Sequence, residues 1–328
     1  MNSSTRIEVT VPLRISLAGG GSDIPEYFRH YGGSVLSFSI EPSVRLTAVP
    51  SVRWGYQCIY DPTYLRIPLT PITTKIIDAF ESVYDGSNKF DLVCKLRIPP
   101  GTGLATSSAT SVATIMLASE LNGDPKFGAN LAEDAWRLET QILGDGIGKQ
   151  DHYIAALGGL RLTEFLRNGN IVSNRIKVGA EFHQELHHNA FLVFSGRSRS
   201  AVELLGTRAW DTETGIYALC QLRNLAHELA DVFCKTNIDW SHVGRIIGEG
   251  WTQKKKLGCE ITSKSVDDII DLAAHNGAWG SKLLGAGRGG FILVIGSSKV
   301  RRAIENTVGK TRCLSIDFSD SRPNLGRH

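Results

Sequence analysis

Long apolar runs are missing from this sequence. No segment approaches the length of a membrane span, and the opening MNSSTRIEVTVPLR has no apolar core of signal-peptide length. The expectation is a cytoplasmic protein with no membrane partner. Clustered cysteines are missing too. Cys58, Cys94, Cys220, Cys234, Cys259 and Cys313 are scattered, with no C-x-x-C pair and no nearby histidine spacing for zinc, so they read as reduced, mostly structural thiols. An excess of either charge is lacking: 36 Lys and Arg against 33 Asp and Glu leave a net charge of +3. That is too small for a nucleic-acid footprint, and the densest basic run, Lys254 to Lys256, reads as a solvated helix face. Two nucleotide signatures fail as well. Gly148-Lys149 is followed by Gln150, which excludes a G-x-x-x-x-G-K-[ST] loop. Gly285, Gly287 and Gly290 have the spacing G-x-G-x-x-G, but a helix precedes them and the strand FILVIG follows, the reverse of the dinucleotide-binding order.

What is present is a globular chain of 328 residues, 42% hydrophobic and 21% charged, long for one domain and comfortable for two. Strand patterns at RIEVTVPLRISL (interrupted by Pro12), VLSFSI, VRLTAVP, FDLVCKLRI, GLRLTEFL, FLVFSG, GGFILVIG and RCLSIDFS mix with helical patterns rather than alternating strictly. Helical patterns include residues 69–84, the NLAEDAWRLETQILG segment and a broken stretch from Ser200 to about Gly250. No internal repeat stands out. This order predicts an α+β protein whose halves meet near residues 167–185, giving domains at 1–175 and 176–328.

The segment PPGTGLATSSATSVATIMLASELNG starts as a glycine-rich loop and ends as a helix. Ala109, Val112, Ala113, Met116 and Leu117 form one apolar stripe, and Leu121-Asn122-Gly123 supplies a stop. Pro100, Gly101 and Gly103 keep bulk away, while Thr106, Ser107 and Ser108 begin the helix, so backbone amides and the helix dipole face one anion. An ordinary strand-to-helix turn with a serine cap has the same composition.

Downstream, Asn130 and Glu133 have the spacing of a capping box, and Glu139 lies beside its helix's apolar face, where a carboxylate needs a cation. Lys149 and Asp151, two residues apart, can pair so that the aspartate stays ionised beside a hydroxyl; a surface salt bridge is the plainer alternative. Near the start, Arg14 precedes Gly19-Gly20-Gly21-Ser22-Asp23, a guanidinium and a carboxylate for one small polar ligand, or simply a strand-edge arginine and a turn aspartate.

VPLRISLAGGGSD, PPGTGLATSSATSVA, the GIGKQD turn and KLLGAGRGGFILVI, in that order, resemble the successive motifs of the GHMP kinases. The resemblance implies a two-domain α+β fold, with a ribosomal-protein-S5-like N-terminal half and a ferredoxin-like C-terminal half, and ATP and Mg2+ as cofactors. Pro100, Gly101, Gly103, Leu104, Ala105, Thr106, Ser107 and Ser108 would wrap the nucleotide's phosphates, which is why no P-loop lysine is needed. Ser108 and Glu139 would hold Mg2+, Asp151 would be the base, and Arg14 and Lys149 would stabilise charge beside it. Gly20, Gly21, Ser22 and Asp23 would meet the sugar, and Gly285, Gly287 and Gly289 would shape a loop that closes over the site. Two departures stand out: Ala105-Thr106 replaces the family's common Gly-Ser, and the spacing from Glu139 to Asp151 is about one residue longer than in mevalonate kinases.

Within that family LRISLAGGGSDIPEYF, GKQD and FSGRSRSA resemble bacterial heptose 7-phosphate kinases. That branch implies phosphorylation of an anomeric hydroxyl on a sugar that already bears a phosphate, and a second anion site, for which Arg197 and Arg199, or Arg45 and Arg53, are candidates. Rival expectations are a kinase for an unphosphorylated sugar, a sugar- and ATP-binding regulator, and a diphosphomevalonate-type decarboxylase. The partner is a small sugar or sugar phosphate rather than nucleic acid, and a homodimer is compatible with this reading.

Overall fold

The computed structural model describes residues 6–60, 75–76, 78–143, 147–198, 210–258 and 261–328. The N-terminal strand β1 (Ile7–Ala18) buries Ile7, Val9, Val11, Leu13, Ile15 and Leu17 at the strand period of two. Pro12 does not end it. The register against β2 (Gly33–Ser51) shifts between Pro12 and Leu13, so the missing N–H is absorbed at a bulge and the strand runs on. Between them the glycine turn leads into α1 (Pro25–Tyr31).

Strands β3 (Gly55–Tyr60), β4 (Lys89–Leu96), β5 (Leu160–Phe165) and β6 (Ile171–Ile176) complete most of one eight-stranded sheet, in which β1 and β2 are central. The β5–β6 hairpin turns at Asn168-Gly169-Asn170, with Gly169 at φ 90°. Four helices follow the sequence of this half: α2 (Thr106–Leu121), α3 (Gly128–Leu143), α4 (Gln150–Leu157) and α5 (Phe182–Asn189). The second sheet is antiparallel, in the order β10 (Cys313–Ser315), β7 (Ala190–Phe194), β9 (Phe291–Ile295), β8 (Gly280–Leu283). With it go α6 (Glu213–Phe233), α7 (Trp240–Lys255), α8 (Lys264–His275) and α9 (Ser298–Val308).

Three expectations are adjusted. The apolar stripe of α2 is real, but nearly every residue of the helix is buried because it packs against β1, β2, α3 and α4 together. Its polar side is closed internally, since Thr110 and Thr114 donate to carbonyls four residues back. The second adjustment is to the division of the chain: β11 (Asp317–Phe318) and β12 (Asn324–Arg327) return to the first sheet, pairing with β2 and β1. The last, α3, starts at Gly128, ahead of Asn130, so the capping box does not form there. Of the helix expected over residues 69–84, residues 69–74 and 77 lie outside the described residues, and Ala79–Ser82 forms a short 3-10 turn. No helix among the described residues is long and apolar enough to cross a membrane.

Candidate active site

A cleft of about 280 Å3 lies between the glycine turn after β1, the loop before α2, the start of α4, and α7 with β8. Asp151, in the first turn of α4, lines it. Arg14 comes from the middle of β1, is 3% exposed, and donates Nε–H and Nη2–H to the two carboxylate oxygens of Asp151 at 2.7 and 2.6 Å. Its Nη1 donates to the Gly103 carbonyl at 2.5 Å. One guanidinium thus ties the aspartate to the glycine loop, a bidentate geometry that fixes both position and charge. Asp151 keeps 24% side-chain exposure, toward the cleft.

Asp23 is buried at the cleft wall. It accepts from the amides of Gly21 at 2.9 Å and Gln150 at 3.0 Å, so it holds the glycine turn against the start of α4. Burial first, then the charge of Asp151, raises its carboxyl above the ordinary aspartate range against the pull of those amides. A Cβ at Gly148 would lie 2.0 Å from Asp23 Oδ2, which explains the glycine there. Gln150 reaches the same turn through its side chain, donating to Asp23 and accepting from Ser16 Oγ at 2.8 Å.

The loop before α2 has the open backbone expected of an anion site, built differently at its end. No Ser or Thr caps the helix; Ala105 occupies the N-cap in the left-handed conformation, φ 62°. The first-turn amides are therefore left to the cleft, which Gly101, Gly103, Ala105, Thr106, Ser107 and Ser108 line. Pro100 and Leu104 stand behind the loop, both buried and outside the lining, though the Leu104 carbonyl accepts from Arg14 N. The second half of the chain locks this loop from the other side: Phe291 N donates to Thr102 O, and a Cβ at Gly103 would lie 2.5 Å from Leu284 O. Glu139, 3% exposed, comes from α3 to the start of α2, where Ser107 donates to Oε1 and His152 Nε2 lies 2.5 Å from Oε2.

Other expected site residues lie elsewhere. Lys149 does not pair with Asp151: its ammonium donates to both oxygens of Glu133, at 2.8 and 2.6 Å, and sits over the Trp136 ring. Residues two apart at a helix start diverge, and the nearer carboxylate is the one on α3. Ser22 also faces away, with its hydroxyl donating to Gly19 O and accepting from Ser34 N. Gly287 packs against Ile261 rather than lining the cleft, whereas Gly285 and Ala286 line it. Arg197 is exposed and outside the lining, its carbonyl held by Gly290 N; Arg199 lies outside the described residues. Conversely, two lysines missed in the sequence, Lys254 of α7 and Lys282 of β8, line the cleft. Nothing in a KKK run marks the lysine that turns inward.

The family models for the GHMP kinases N terminal domain and the GHMP kinases C terminal match residues 72–159 and 216–311. A D-glycero-alpha-D-manno-heptose 7-phosphate kinase from Campylobacter jejuni is 28% identical over 97% of this chain and 98% of its own length. Among solved structures, a D-glycero-D-manno-heptose 1-phosphate kinase from Bacteroides thetaiotaomicron superposes with TM-score 0.76 at 24% identity, covering 98% of each chain. A Lactococcus lactis galactokinase does so with TM-score 0.69 at 15% identity, over 97% of this chain and 95% of its own. With both halves matched and the fold shared throughout, the chain belongs to the GHMP kinases.

Proposed function

We propose that this kinase transfers the γ-phosphoryl group of ATP to the anomeric hydroxyl of a heptose 7-phosphate, giving a heptose 1,7-bisphosphate. The observation that carries the chemistry is Asp151, gripped by Arg14 and set beside the open amides at the start of α2. Phosphoryl transfer asks chiefly for alignment and charge neutralisation. Asp151 accepts the hydroxyl proton as that oxygen bonds to the γ-phosphorus, and the bond to the β–γ bridging oxygen breaks to release ADP. Arg14 keeps the carboxylate aimed, and the loop amides hold the phosphate oxygens.

Glu139 and Ser108 fit Mg2+ as hard oxygen donors facing one cavity, and a carboxylate has lone pairs beyond those that Ser107 and His152 use. No group of three or more acidic, His or Cys side chains among the described residues would cage a cation alone, so the ion would also need the nucleotide's oxygens. When bound, it would neutralise charge across the β- and γ-phosphates.

The heptose assignment draws on the Campylobacter jejuni relative, similar along almost its whole length. The test is ATP consumption against a panel of heptoses and hexoses, with and without phosphate, and product position read by phosphorus NMR. A new anomeric phosphate on heptose 7-phosphate is the expected product. Preference for an unphosphorylated sugar, or transfer to a carbon other than C1, overturns the assignment.

A further inference from the structure

The sequence offers Arg197, Arg199, Arg45 and Arg53 for an acceptor's own phosphate, and the described ones point elsewhere. Arg197 and Arg53 are exposed and outside the cleft lining; Arg45 is half-exposed and paired with Glu8 on another face. Among the described residues, two lysines line the cleft beside Arg14. Lys254 Nζ donates to the Gly20 carbonyl at 3.1 Å, and a Cβ at Gly21 would lie 3.0 Å from it, so the ammonium crosses the glycine turn at van der Waals range. Lys282 Nζ donates to the carbonyls of Ser16 and Leu17 at 3.0 and 3.1 Å, and among the described residues no carboxylate partners it. Burial, then the neighbouring charges of Lys254 and Arg14, push the Lys282 ammonium down to about 7.

Position along β1 separates these lysines from the reacting centre. Arg14 marks Asp151, and Ser16 and Leu17 lie two and three residues farther toward the turn, roughly 7–10 Å along a strand. That is the span of a sugar ring with its exocyclic carbons. Arg14 is already committed to Asp151, so it is not the group left for a second anion. Two ammonium groups close together beside the end of β1 and the glycine turn suit a phosphate dianion, which would reverse their mutual repulsion.

We propose that Lys254 and Lys282, together with the Gly20–Gly21 turn, form the subsite that receives the phosphate ester of the acceptor. The subsite rests on the reading of the acceptor as a sugar phosphate. It also explains why Gly20 and Gly21 carry no side chains: a Cβ at Gly20 would lie 3.1 Å from Gln150 Nε2, and one at Gly21 would meet Lys254, narrowing the place the ester occupies.

The test compares heptose 7-phosphate with unphosphorylated heptose in the wild type and in Lys254→Ala, Lys254→Arg and Lys282→Met. Losing one charge-assisted contact should raise KM for the phosphorylated acceptor by roughly ten- to a hundredfold while leaving kcat/KM for the unphosphorylated heptose within about threefold. Lys254→Arg should retain most of the preference. Because Lys282 also ties two carbonyls of β1, thermal unfolding without ligand checks its variant, and Lys254→Ala carries the test if that variant does not fold. Equal losses on both acceptors would overturn the subsite. So would a wild-type preference for the phosphorylated heptose that survives in Lys254→Ala, and that result would leave the acceptor assignment standing. A wild type indifferent to the ester phosphate would reject both.

Discussion

Arg14 and Asp151, 137 residues apart, are joined by two parallel hydrogen bonds that use both oxygens of the carboxylate and two of the guanidinium nitrogens. The third nitrogen is fixed on the Gly103 carbonyl, so Asp151 and the glycine loop share one support. Replacing Asp151 by Asn keeps the volume and removes the proton acceptor. Turnover should fall by at least about 100-fold while ATP affinity changes only a few fold. Near-normal kcat in Asp151→Asn, measured under saturating substrates, would refute the base assignment.

Lys149 separates position in sequence from position in space. Its pairing with Glu133 and its contact with Trp136 brace α4 against α3, outside the lining of the cleft. Lys149→Met should therefore cost about 1–3 kcal/mol of stability, between an exposed pair and a fully buried one, with kcat within a few fold. Denaturant unfolding and steady-state kinetics on the same preparation decide it: a large kcat loss at unchanged stability would return Lys149 to the reaction.

Ala105 stores strain where the glycine loop meets α2. A left-handed alanine costs roughly 1–2 kcal/mol that glycine does not incur. Part of that gain is lost to the greater freedom of glycine in the unfolded chain, so Ala105→Gly should raise stability by up to about 1 kcal/mol. A fall in stability would mean that the alanine methyl makes a contact worth more than the strain.

Lys282 gives opposite pH trends with and without ligand. Its pKa near 7, against 10.5 for a free lysine, means that the unfolded chain binds the extra proton between those values, so the ligand-free protein gains stability as pH rises across that window. Phosphate binding needs the charge and should weaken as pH rises above about 7. Lys254, Arg14, Asp151 and Asp23 line the same cleft, so the ratio of KM for phosphorylated and unphosphorylated heptose is the useful readout, since it cancels their shared effects. Lys282→Met should flatten both curves; a ratio independent of pH in the wild type would show that Lys282 does not face the ester.

Much of this was legible along the chain. The helix after PPGTGLA is local, set by its own apolar spacing and glycine stop, and it formed as read. Arg14, Asp23 and Asp151 converge as the motif order implied, because β1 and the start of α4 border one cleft. Lys149 was illegible because Glu133 lies a helix away. Lys254 was illegible for a different reason: only the packing of α7 over the glycine turn distinguishes it from exposed Lys255 and Lys256. Pro12 broke a strand pattern that the bulge restored, and nothing near residue 325 announces that its strand belongs with residue 9.

That last pairing sets the timing of biosynthesis. Residues 7–10 leave the ribosome long before residues 324–327, their neighbours on one side, have been made. Throughout translation the edge of β1 waits with its hydrogen-bonding groups unmatched, the kind of exposed strand that pairs with other chains. Only when synthesis has passed residue 327 can this sheet close, so a ribosome-stalled chain lacking β12 should be held by chaperones or aggregate, even with Asp151 and every residue of the glycine loop before α2 already made.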